Sequence, residues 1–498
     1  MIPDFSKDDI TVVSHHIGKI FIAFGMVQII PIFIGLICGE ISAVIDFFIS
    51  IIACFAFASI LLYFSPYLQE INWRQGMIIV SLSWLLAMFF SALPLFLSGH
   101  YGCYLDACFE SMSAYATTGL VLVQDLDHMS YAHNIWRHLM CFLGGQGIIL
   151  VALVFFFRGG DALRIYVGEA RDDKILPNSI TTAKFIWMVS LTYLVIGSLM
   201  LATVLLFHKV SLPRALFHGI CIFMAGWDTA GFAPQSLNII YYHCPFFELI
   251  TIIIILLGAT SFGVHYAVWT GKFSELREDF EVKVLMSTIF FTYFIVLVGF
   301  SGQASLFSDA FSFFRTTFYQ LISGHTGVGY NNIYSSELAN WPELALFGVI
   351  VAMGIGGCTN STAGGIKVFR IGLLYKSIKR EVRRLAYPES SYIKEFFHHQ
   401  REISIDDTMV KTAMIITVCY ILLYLSGAVV ASFFGYGFFN GLFESVSAAA
   451  NVGLSVGITS PSMPAFLKVW YIIEMWTGRL EFFAIFILIR FFVKTVKR

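Results

Sequence analysis

Ten stretches of roughly 20 mainly apolar residues run through this chain, at about 17–38, 42–64, 77–98, 134–157, 183–207, 245–268, 284–302, 342–375, 409–434 and 467–493. A helix of that length matches the ~30 Å hydrocarbon core of a bilayer. The 498 residues are 58% hydrophobic and 13% charged, against about 45–50% and about 25% in soluble domains. The chain therefore reads as an all-α polytopic membrane protein. Basic residues set its orientation: Arg158, Arg164, Arg171 and Lys174 follow the fourth span, Lys272, Arg277 and Lys283 the sixth, and nine Lys/Arg run from Lys367 to Arg401. The positive-inside rule makes these loops cytoplasmic, and Lys494, Lys497 and Arg498 put the C-terminus on the same side. An even number of spans then requires a cytoplasmic N-terminus too. That N-terminus lacks a basic n-region and a small-residue cleavage site, so no cleaved signal peptide is expected. The nine cysteines form no CxxC pair and read as small reduced hydrophobes. The bilayer is the expected surrounding partner; no nucleic acid is.

Four segments, 103–124, 213–238, 307–334 and 438–457, are fairly apolar, too short to cross, and each contains a glycine turn. They form an internal repeat. FESMSAYATTGL places Glu110 nine residues before Gly119, FESVSAAANVGL places Glu444 nine before Gly453, and YQLISGHTGVGY places Gln320 nine before Gly329. The remaining segment, FMAGWDTAGF, ends at Gly231, with Gly226 as a competing position because His218 lies thirteen residues before Gly231. Nine residues of helix span roughly 13 Å, so each segment reads as a re-entrant half-helix whose partially negative C-terminus faces mid-membrane and favours a cation. Glycine then lets the chain turn into an extended limb. Such a limb is tolerated where it lines a water-filled path, and its carbonyls can replace a cation's hydration shell.

A second glycine-rich stretch, MGIGGCTNSTAGGIKVFR at 353–370, interrupts the eighth apolar run. It is no phosphate-binding loop: Ile366 separates Gly365 from Lys367, and Val368 follows the lysine. Five glycines between Gly354 and Gly365, each costing a helix ~1 kcal/mol relative to alanine, predict a break in the span beside a cavity. Arg479, in WTGRLEFFAIF, is a charge inside the last apolar run and needs a partner or water. Asp228, Asp125 and Asp127 are candidates to concentrate cations at the mouth, with solvated loop acids as the commoner explanation; His398 and His399 read as a solvated loop pair. No GxSxG, HExxH or paired-carboxylate cluster within one span supports an enzyme, so a polytopic membrane enzyme is only a distant alternative.

The order of span, half-helix, glycine turn and span, four times after two extra N-terminal spans, resembles the membrane subunits of the Trk/Ktr/HKT superfamily of potassium transporters, most closely the Trk type. RHLMCFLGGQGII, IGGCTNSTAGGIKVFR and GRLEFF carry the likeness beyond the turns. It implies an N-terminal two-span region at 1–70 and pore repeats at 71–175, 176–280, 281–401, with a broken second span, and 402–498. It further implies a potassium-selective pore with a filter of Thr117, Thr118 and Gly119; Thr229, Ala230 and Gly231; Gly327, Val328 and Gly329; and Asn451, Val452 and Gly453. In this family a serine at the first turn goes with sodium preference, so Gly119 argues for potassium; a sodium-permeable or sodium-coupled relative is the nearest alternative. The stretch Gly356, Gly357, Cys358, Thr359, Asn360, Ser361, Thr362, Ala363, Gly364, Gly365 and Lys367 corresponds to a loop that obstructs the pore and moves on opening. Arg479 corresponds to a positive charge facing the pore, which Lys367 could assist. The resemblance also implies a homodimer in the bacterial inner membrane and a separate cytosolic regulatory subunit that binds NAD or ATP, with no nucleotide on this chain.

Overall fold

The structure, a computed structural model, describes residues 7–66, 71–123, 125–147, 179–302, 307–386, 395–399 and 401–496. Among them, six helices are long and apolar enough to cross a bilayer: Asp9–Cys38, Ile41–Phe64, Trp73–Leu97, Thr181–Phe207, Phe280–Gly299 and Asp407–Phe433. The first two are the N-terminal spans, and the other four each open a repeat. Their outer faces keep large apolar side chains exposed, as Phe290, Phe291 and Phe294 do on Phe280–Gly299. Such a surface suits contact with lipid or with another apolar face.

A short helix packs against each of these four spans: Tyr104–Tyr115, Leu212–Trp227, Ala310–Thr326 and Phe438–Ala449, of 12, 16, 17 and 12 residues. They are longer than the nine-residue estimate because their starts lie farther out. The third, for example, begins beyond Asp309, whose carboxylate accepts the Ser312 N–H at 2.8 Å.

The second span of a repeat is where the chain departs from straight helix. The break expected after Met353 is present: Glu343–Ile355 ends at Gly356, and Val368–Arg384 resumes beyond Lys367. Two further breaks were not expected. Pro245–Gly258 and Phe262–Trp269 meet at 99°, and Ala465–Arg479 is separated from Phe483–Val496 by Leu480, Glu481 and Phe482. Glu481 and Phe482 have φ of 50° and 72°, so tertiary contacts impose a conformation that neither residue favours. In the first repeat, Tyr131–Gln146 ends at Gly147; the rest of that apolar run and its basic residues, Arg158, Arg164, Arg171 and Lys174, lie outside the described residues, as do Lys497 and Arg498.

A two-stranded antiparallel hairpin, β1 (Phe396–His399) and β2 (Arg401–Ser404), joins the third and fourth repeats. It corrects the reading of His398 and His399 as solvated. His398 Nε2 lies 3.1 Å from Glu275, and His399 Nδ1 lies 2.8 Å from Asp279, which caps the helix Phe280–Gly299 through the Glu281 N–H. Phe397 is meanwhile buried against Phe280.

Candidate functional site

Each short helix stops in the same way. The residues Thr117, Thr229, Gly327 and Asn451 are left-handed, with φ of 54°, 51°, 79° and 57°. Their N–H groups bond to carbonyls three residues back, at Ala114, Gly226, Gly324 and Ala448. The next N–H groups, of Thr118, Ala230, Val328 and Val452, reach carbonyls five residues back at 2.8, 2.7, 3.0 and 2.8 Å. This is a Schellman cap repeated four times. It puts all four turns in one register and settles the ambiguity in the second. Gly226 is an internal helix residue equivalent to Ala114, and Gly231 is the residue equivalent to Gly119, Gly329 and Gly453. The position nine before Gly231 is therefore Ile222, where the first and fourth turns have glutamate and the third glutamine.

Two residues beyond each left-handed position comes a glycine that is also left-handed: Gly119, Gly231, Gly329 and Gly453, with φ of 89°, 66°, 77° and 96°. These glycines pack backbone to backbone in a closed circle. A Cβ on Gly119 would stand 2.5 Å from the Ala230 carbonyl oxygen. On Gly231 it would overlap the Val328 carbonyl, on Gly329 that of Val452, and on Gly453 that of Thr118. The contacts run first turn to second, second to third, third to fourth and fourth back to first. All twelve residues named for the four turns are buried. The contacts that close the ring are backbone to backbone, and among the described residues no group of three His, Cys, Asp or Glu side chains is placed to hold a metal ion.

The loop between Gly356 and Lys367 lies against this ring. Gly356 and Gly365 are left-handed and pack on each other, pinching the loop at its base. The Thr362 hydroxyl donates to the carbonyls of Trp227 and Gly258, each at 2.9 Å. Cys358 N–H reaches Ala259 O at 3.0 Å, and Phe262 N–H reaches Asn360 O at 3.0 Å. A Cβ on Gly364 would overlap the Ala450 carbonyl, and one on Gly327 would come within 3.7 Å of Gly364 N. The loop thus bonds to the end of the second short helix, packs on the fourth turn and lies beside Gly327 of the third. The bend at Ala259–Ser261 makes a shelf for it.

Arg479 supplies the link to the first turn. Its guanidinium donates to Thr362 O at 2.8 Å, Gly144 O at 2.7 Å, Gly145 O at 3.2 Å and the Thr117 hydroxyl at 3.4 Å. One cation joins the loop, the first short helix's turn and the end of Tyr131–Gln146. Lys367 is engaged elsewhere: its ammonium is 2.7 Å from Glu481, which also binds Arg370. The unexpected break at Leu480–Phe482 is what swings Glu481 to that pair. Glu281 was missed in the sequence; it accepts from both the N–H and the hydroxyl of Thr359, and nothing local marks a contact spanning 78 positions. Beneath the loop a cavity of about 550 Å³ is lined by Glu281, Thr359, Asn360, Lys367, Arg370, Glu481 and neighbours.

The mouth acids fall in different places. Asp228 is fully buried, accepting from Gln146 Nε2 at 2.7 Å behind the second turn, so it does not stand at a mouth. Asp125 is exposed and lies 2.9 Å from His128.

Four repeats of a span and a Schellman-capped short helix, closing a ring of glycine turns inside an apolar helical shell, define a multi-pass membrane protein. The family model for TrkH, described as cation transport protein, matches residues 44–494, and the chain belongs to that family. It is 27% identical to an uncharacterized cation transporter of Methanocaldococcus jannaschii over 97% of this chain and 96% of the other. It is 26% identical to the Trk system potassium uptake protein TrkH of Escherichia coli, over 84% and 86%. The crystal structure of the potassium transporter TrkH from Vibrio parahaemolyticus superposes with a TM-score of 0.81 at 22% identity, covering 96% of this chain and 98% of that one.

Proposed function

We propose that the chain takes up potassium across the plasma membrane through a channel-like path on the axis of the four-turn ring. The observation that carries the reading is the closed circle of glycine contacts from Gly119 to Gly453. It brings four like backbone segments to one axis, where carbonyls can replace the water of a dehydrated cation. Four short-helix C-termini add partial negative charge around the same point. The relatives named as potassium uptake proteins support the choice of ion.

In this reading the filter comprises Thr117–Gly119, Thr229–Gly231, Gly327–Gly329 and Asn451–Gly453. The loop from Gly356 to Lys367 is the gate, and Arg479 is a positive charge beneath the filter. No coupled ion is required: ~2.3 kcal/mol per charge per 100 mV, at 1.4 kcal/mol per decade, sustains roughly 40-fold accumulation. The termini are cytoplasmic, the membrane is the bacterial inner membrane, and the working unit is a homodimer. A separate cytosolic subunit binds NAD or ATP and acts on the gate.

Flux of rubidium or potassium into liposomes containing the purified protein, with sodium as competitor, tests the assignment. Cation uptake driven by an inside-negative voltage and weakly inhibited by sodium is expected. No potassium flux, even with the regulatory subunit supplied, defeats it; equal sodium and potassium flux defeats the selectivity alone.

A further inference from the structure

Three residues past the ring glycine, the outgoing limbs are tied down by a repeated device. In the first turn, Glu110 Oε2 accepts the Leu122 N–H at 3.0 Å. In the fourth, Glu444 Oε1 accepts the Val456 N–H at 3.0 Å and the Ile458 N–H at 3.2 Å. In the third, Gln320 Nε2 donates to Asn332 Oδ1 at 3.1 Å. All three anchors are completely buried, and each holds a residue twelve positions downstream.

The second turn cannot use this device. Its equivalent of Leu122 is Pro234, which has no N–H to give, and its equivalent of Glu110 is Ile222. Its limb is held by its carbonyls instead: Asn238 Nδ2 of the same repeat donates to Gly231 O at 3.0 Å, and the neighbouring repeat holds the two residues that follow Phe232. Arg137 Nη1 donates to Ala233 O at 3.3 Å, and Asn134 Nδ2 donates to Pro234 O at 2.9 Å. The Arg137 guanidinium also stacks 4.7 Å from the Phe232 ring centre. Its other edge grips Glu110 Oε1, through Nε at 2.9 Å and Nη2 at 2.6 Å. Both side chains are fully buried. One planar cation therefore spans the anchor of the first limb and the carbonyl of the second.

We infer that Glu110 and Arg137 are positioning residues for ion selectivity, fixing the spacing of the first and second turns, and that Arg137 supplies from the first repeat the anchor the second lacks. The inference rests on the potassium reading above. A rigid fork suits it: lysine keeps the charge opposite Glu110 but presents a single point that cannot span both limbs.

The test is the ratio of rubidium to sodium uptake in liposomes, which does not depend on how much protein inserts. Arg137→Lys is expected to lower this ratio about tenfold, the value of roughly one buried hydrogen bond, while wild type stays selective. A purely structural role would reduce protein yield and leave the ratio unchanged. If Arg137→Lys does not fold, the neutral pair Glu110→Gln/Arg137→Gln, which leaves no unpaired buried charge, reads the same quantity. A wild-type ratio in whichever variant folds overturns the inference. A non-selective wild type overturns the potassium reading itself.

Discussion

Alanine at Gly231, Gly329 or Gly453 will reduce potassium flux by roughly a hundredfold or more, and serine at Gly119 will leave a conducting protein with weaker preference for potassium over sodium. The difference lies in the space around each glycine. All four are left-handed, which costs a residue with a side chain about 1–2 kcal/mol. Overpacking adds about 1–3 kcal/mol where the neighbours cannot retreat, and at 1.4 kcal/mol per decade the sum approaches or exceeds a hundredfold. All four neighbouring turns carry the same Schellman cap, and at Gly231, Gly329 and Gly453 the new Cβ would overlap the carbonyl oxygen of the next turn more deeply than at Gly119. At Gly119 it stands 2.5 Å from Ala230 O, so a smaller shift of the second turn accommodates it, at the expense of ring symmetry. Liposome flux of the four variants checks the order. Equal behaviour of all four, or wild-type flux through Gly329→Ala, would contradict it.

Shortening the loop within residues 356–365 will raise flux measured without the regulatory subunit, and Arg479→Gln will do so by itself. The loop packs beside three of the four turns and Arg479 bonds to the remaining one, and in the proposed gated path both stand in the way of a cation leaving the ring. A unit charge ~6 Å from the path, at an effective dielectric near 20, raises the barrier by about 3 kcal/mol, or around a hundredfold. Partial screening in the cavity below leaves a tenfold increase as the smallest expected effect of the neutral variant. Removing the loop's Thr362 carbonyl from Arg479 also frees that guanidinium to seek other partners. The combined variant is therefore expected to conduct more than either alone. Unchanged or lower flux through a folded loop deletion would show that the segment is structural packing.

The two predictions draw unequally on sequence. The ring was legible because three of its turns share one spacing from a buried acid or amide to glycine, and a period of that kind survives without any knowledge of the fold. The second turn was ambiguous for a physical reason: Pro234 removes the donor that would select for an acid, so Ile222 stands where Glu110, Gln320 and Glu444 mark the others. The loop was legible because five glycines in a membrane span have few explanations. The breaks at Ala259–Ser261 and Leu480–Phe482 carry no such composition. They accompany contacts remote in sequence, Thr362 and Cys358 on the carbonyls of Gly258 and Ala259, and Glu481 on Lys367 and Arg370. Arg137, Glu281 and the histidine hairpin were likewise invisible, since their partners are remote and their residue types alone are commonplace. Arg479 was found because a charge in an apolar run demands an account, although its four oxygen partners could not be guessed.

The central claim is that the ring of glycine turns is where the transported cation is held. Anomalous scattering from crystals grown in rubidium in place of potassium addresses it without reference to rates or partners. The account predicts rubidium peaks on the ring axis, among the backbone oxygens of Thr118, Ala230, Val328 and Val452 and their neighbours, and lost when sodium replaces rubidium. An ordered ring with no rubidium on its axis, or rubidium bound only elsewhere in the protein, would contradict it.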